Sequence, residues 1–132
     1  MIVRILVAIG FLLVASGRTA FADALLFTPA VRAGTNEALS CTAMNVGSKP
    51  IPQVVVALVA YPPSNTGLGT ATCPDLPSAQ TSTFGGVCSR GYTGPVEVFC
   101  RIEVTGASKN AVRAVLSVWD ANGGAMNTLE AR

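Results

Sequence analysis

Few residues in this sequence have the types and spacing that covalent chemistry requires. Histidine is absent from all 132 residues. That removes the Ser-His-Asp and Cys-His nucleophilic arrangements and the usual zinc sites. Serine and lysine stand together at Ser48-Lys49 and Ser108-Lys109. Both pairs are adjacent residues in expected turns, where they are ordinary loop chemistry, so a hydrolase without histidine is the least supported reading. Glu97 and Glu103 share one face of an expected strand, but six residues of strand span about 20 Å. Paired carboxylates in glycoside hydrolysis stand only about 5–9.5 Å apart. Asp120-Ala121-Asn122-Gly123 matches only the first positions of a calcium loop and lacks the later ligands and closing glutamate. A hairpin turn accounts for it. Gly67-Leu68-Gly69 and Gly85-Gly86 precede no expected helix, which a phosphate cradle needs. No catalytic residue, metal ligand or cofactor is expected, and the chain reads as non-enzymatic.

The four cysteines, Cys41, Cys73, Cys88 and Cys100, carry the remaining chemistry. There is no Cys-x-x-Cys spacing and nothing beside them to depress a thiol pKa, so redox catalysis is not indicated. An even number in a small exported domain reads as two disulfides, for which three pairings exist. Cys41 and Cys100 lie at core-facing positions of two expected strands, whereas Cys73 and Cys88 flank the least regular stretch. That favours Cys41–Cys100 with Cys73–Cys88.

The elements that must position these residues are strands. Serine, threonine, valine, glycine and proline dominate the chain after residue 22, and the prolines and glycines fall between apolar runs, the pattern of short strands joined by turns. Residues 24–31 form a first expected strand, interrupted by Pro29, and residues 37–46 a second with Leu39, Cys41 and Ala43 on one face. Residues 53–61 (QVVVALVAY) are apolar throughout, which predicts a central strand covered on both faces. A polar connection is expected over 62–72, and a short strand near 81–88. Residues 96–104 (VEVFCRIEV) and 111–120 (AVRAVLSVWD) each alternate with period two. Across a polar loop, 106–110, they predict an antiparallel hairpin. Pairing Val104 with Val112 sets Glu103 opposite Arg113, which the charges favour. Asn122-Gly123 then turns the chain into a last strand over 125–129.

That hairpin would gather Phe99, Val115 and Trp119 on its outward face, flanked by Arg101, Arg113 and Glu103. Aromatic side chains on a sheet face can anchor a protein or stack on a carbohydrate. A competing surface is the segment between Cys73 and Cys88, which as a braced loop would suit an inhibitor or an envelope accessory protein.

Compartment is read from the amino terminus. A single positive charge at Arg4, an apolar run over 5–14 and the small-x-small pattern Ala20-Phe21-Ala22 describe a signal peptide, residues 1–22, cleaved before Asp23. The run is too short for a spanning helix of roughly 20 residues, so no membrane span is expected after cleavage. About 110 residues remain, enough for one domain, 23–132. Cleavage removes Arg4 and Arg18 and no acid, so the net charge of +2 falls to zero. With no basic stripe, nucleic acid is not an expected partner. The expected location is periplasmic or secreted.

Six to eight strands, each with one apolar face, must bury those faces against each other. A two-sheet antiparallel sandwich does this, with a closed eight-stranded barrel as the alternative. The Asn45-Val46-Gly47-Ser48 turn between two such strands, the second rich in valine, resembles bacterial immunoglobulin-like domains, in particular the cell-adhesion-related domains of surface proteins. The separation of Cys41 and Cys100 is similar to that of the inter-sheet bridge in immunoglobulin domains. The resemblance implies an immunoglobulin-like β-sandwich with a binding or structural role, and carries over no site residue.

Overall fold

The structure is a computed structural model that describes residues 23–62, 67–82 and 85–132. The expected signal peptide lies outside the described residues. Nine strands appear among the described residues: β1 (Ala24–Phe27), β2 (Val31–Ala33), β3 (Ala38–Asn45), β4 (Ile51–Ala60), β5 (Gly67–Leu76), β6 (Val87–Thr93), β7 (Val96–Thr105), β8 (Val112–Trp119) and β9 (Ala125–Glu130). One 3-10 turn, Lys109–Ala111, precedes β8.

The strands form two antiparallel sheets. Sheet I runs β1–β7–β4–β5, with β2 also on β7, and sheet II runs β6–β3–β8–β9. Alternation dictates what lies between them. Val98, Cys100, Ile102 and Val104 of β7 are buried, as are Leu39, Cys41 and Ala43 of β3 and Val112, Ala114, Leu116 and Val118 of β8. Both disulfides cross from one sheet to the other: Cys41 of β3 joins Cys100 of β7, and Cys73 of β5 joins Cys88 of β6. The nested pairing and the sandwich both follow the expectation from strand parity.

Pro29 divides the first strand as expected. Phe27 pairs with Arg101 and Val31 with Val98, so four steps along β1–β2 match three along β7. The break stays bonded because Thr28 takes over. Its amide donates to the Cys100 carbonyl at 3.0 Å, and its buried hydroxyl accepts from the Cys100 amide at 2.9 Å.

Four expectations need correction. The stretch expected as a polar connection contains β5, which pairs with β4 from Ile51–Leu76 to Val59–Gly67. Its small and threonine residues suit a pleated edge, and Gly69 at φ +120° serves a register shift. The short strand expected near 81–88 lies later, as β6. Strand β4 is central in its sheet, but Val55, Ala57 and Val59 on its outer face are only half-buried. Finally, β7 and β8 do not form a hairpin. The connection through Gly106 and the 3-10 turn carries the chain across the sandwich, so β7 pairs with β4 and β1, and β8 with β3 and β9. Two strands with one apolar face each can meet side by side or face to face across a core, and period two is the same for both.

Candidate functional site

The separation of β7 from β8 divides the expected surface patch. Phe99 and Arg101 lie on the outer face of sheet I, where Phe99 pairs with Val59 and Arg101 with Ala57. Arg113, Val115 and Trp119 lie on the outer face of sheet II, opposite Met44, Thr42 and Ala38. These two surfaces face away from each other, so the five residues do not form one site. Glu103 does not meet Arg113 either. Its ion-pair partner is Arg101, two residues along the same strand, through Nη2 and Oε1.

What assembles instead is an apolar surface on sheet I. Register places Leu25 beside Glu103 and Phe27 beside Arg101. On the other flank of β7, Val55, Ala57 and Val59 stand beside Glu103, Arg101 and Phe99. The Phe27 and Phe99 rings lie 6.2 Å apart between centroids, tilted by 51°, within the range of favourable aromatic pairs. Leu25 is 49% exposed, Phe27 42% and Tyr61 52%. The Arg101–Glu103 pair crosses this surface between apolar flanks. Sequence reasoning missed Leu25, Phe27, Val55, Val59 and Tyr61. The available signal was the run over 53–61, apolar on both faces, which marks an outer face that is itself sticky.

The outer face of sheet II is mixed, with exposed Met44 and Val87 side by side at one end. Ser40, Thr42 and Ser117 line its centre, with Trp119 at the other end beside Ala38. The Ser40 and Thr42 hydroxyls are 3.1 Å apart.

Three sequence features resolve into architecture. Asp120 Oδ1 accepts the Asn122 and Gly124 amides at 2.9 and 2.8 Å, so it shapes the β8–β9 turn. Among the described residues no group of three or more cysteine, aspartate or glutamate side chains is placed to hold a metal ion. The segment between Cys73 and Cys88 is held against the β3–β4 loop over its described residues. Ala79 donates to the Asn45 carbonyl at 2.9 Å, Gln80 Nε2 to Val46 at 2.7 Å, and Ser78 Oγ to Gly47. At the centre of this contact, fully buried Asn45 donates through Nδ2 to the Lys49 and Leu76 carbonyls, both at 2.9 Å, and accepts the Gly47 amide. The sequence marked Asn45 only as part of a turn.

Comparison with known protein families, curated proteins and solved structures finds no match. The functional reading therefore rests on the geometry of this chain.

A groove of about 550 Å³ runs between the edges of the two sheets, from Phe27–Pro29 at the end of β1 to Thr128–Glu130 of β9, with Arg132 at one end.

Proposed function

We propose that this protein is exported, to the periplasm or beyond, and works without catalysis as a binding or structural module. Two disulfides that tie the sheets together support an oxidising compartment, and among the described residues no helix is long and apolar enough to cross a membrane. The absence of histidine from the chain supports the non-enzymatic reading. The observation that carries the binding reading is the outer face of sheet I. Leu25, Phe27 and Tyr61 stand exposed there beside Phe99, Val55 and Val59, and contiguous exposed apolar surface on a small domain marks an interaction site. The protein or carbohydrate partner would contact this face, with Arg101 and Glu103 setting polar register. The likeness to bacterial immunoglobulin-like, adhesion-related domains stands as part of this proposal, supported by the inter-sheet Cys41–Cys100 bridge.

Fractionation of cells producing the full chain, with mass determination of the product, is expected to find a species beginning at Asp23 outside the cytoplasm. A photo-crosslinker at position 27 is expected to capture a defined partner that Phe99→Ser loses, while one at position 115, on sheet II, captures none. Capture that is equal from both faces, or unaffected by Phe99→Ser, would remove sheet I as the contact surface.

A further inference from the structure

Among the described residues strand β9 is an edge, paired with β8 on one side only. Just beyond it the Ala131 amide donates to the Ala114 carbonyl at 2.9 Å. Directly opposed residues in an antiparallel ladder alternate between pairs that exchange hydrogen bonds and pairs that do not. Counting back from Ala131 along the register, Leu129–Leu116 and Asn127–Val118 are the bonded pairs. The N–H and C=O groups of Thr128 and Glu130 therefore point away from β8.

Arg132 belongs to the same outward set, and it exchanges two hydrogen bonds with Phe27 of β1, each 3.1 Å. Had the two edges continued to zip together, Glu130 would next meet residue 29. That residue is Pro29, which has no N–H to give, and there the chain leaves β1 for β2. Closure stops after one residue pair, and the groove opens beside Thr128 and Glu130.

Other edges carry protection. Strand β5 has Pro74 and a register shift. Strand β6 is tied across the sandwich to β5 by Cys73–Cys88, and its Arg90 side chain lies over Gly69. The sequence of β9, AMNTLE, has no proline and no lysine, and Glu130 shares the outward side with Thr128, so no charge points inward. It lacks the devices that keep edges apart.

We propose that this edge pairs with the same edge of a second copy, β9 antiparallel to β9 about a two-fold axis at Thr128. Two four-stranded sheets would then become one of eight strands. The register is self-complementary. Thr128 meets its own counterpart, and Met126, 57% exposed, meets the partner's Glu130, so the only charge on the strand never faces its like. Length also matches. The entering strand can run as far as Ala125 before the Phe27–Arg132 pair blocks it, and Ala125 is where β9 begins. An isologous contact of this kind closes as a dimer.

Sedimentation velocity of the mature protein over a concentration series tests this. A reversible dimer is expected, and Thr128→Pro is expected to raise its dissociation constant at least about tenfold. That substitution removes an amide pointing away from β8, where proline is tolerated, and thermal unfolding checks that the fold survives. Opposed bonded residues lie ~5.5 Å apart, within disulfide reach. Oxidised Thr128→Cys should therefore form a covalent dimer and Met126→Cys should not. A monomer at all concentrations, a dimer indifferent to Thr128→Pro, or equal cross-linking by both cysteine variants would overturn the proposal. A monomer whose Thr128 and Glu130 amides gain exchange protection only from a different protein would overturn it too.

Discussion

Asn45 shows how one side chain can organise two loops. It is fully buried, and its amide group satisfies the β3–β4 turn and the end of β5 together. Removing a buried hydrogen-bonding group leaves its partners dehydrated and unpaired. Asn45→Ala is therefore expected to cost about 2–4 kcal/mol in urea unfolding, and Asn45→Leu should not restore it. Thr28 plays a comparable part at the Pro29 break. Thr28→Val keeps the shape but leaves the Cys100 amide without an acceptor, at about 1–3 kcal/mol. Thr28→Ser should recover most of that. Neither role was legible in the sequence, because a buried asparagine and a surface-turn asparagine have the same letter, and only the approach of β5 and β7 distinguishes them.

At the scale of strands, what could be read was parity. The alternation in β3, β7 and β8 placed Leu39, Cys41, Cys100 and Leu116 inside, as the buried set shows, and the shared parity of Cys41 and Cys100, with Cys73 and Cys88 flanking the irregular stretch, selected the disulfide pairing. Neighbourhood could not be read. The pattern of β8 is the same whether it lies beside β7 or across from it, and the patch built on that pairing dissolved when the chain crossed the core. Strand β5 was missed because glycine, threonine and alanine give no hydrophobic alternation at an edge. The bridges can be weighed at this scale too. Cys73–Cys88 spans 15 residues in sequence and Cys41–Cys100 spans 59. On the chain-entropy account, replacing each pair by alanine should cost about 3 and about 4 kcal/mol respectively, ranked by guanidinium unfolding of the two double variants. The opposite ranking would mean that loop length does not govern their contribution.

For the molecule as a whole, the two bridges together are comparable with the ~5–15 kcal/mol by which a domain is stable. Full reduction is therefore expected to unfold the protein or leave it near its midpoint, read from the fluorescence of Trp119, its only tryptophan. The nesting of those bridges also bears on load. Cys41–Cys100 encloses β4, β5, β6 and the first half of β7, together with the inner bridge. A force applied at residues 23 and 132 can draw out only the stretches before Cys41 and after Cys100, about 50 residues or ~180 Å of contour. Strands β4, β5 and β6, which lie wholly between the two cysteines, stay shielded from tension until a covalent bond breaks. Stretching would strip β1, β2, β8 and β9 from this domain and leave the bridged segment that carries β4, β5 and β6 behind.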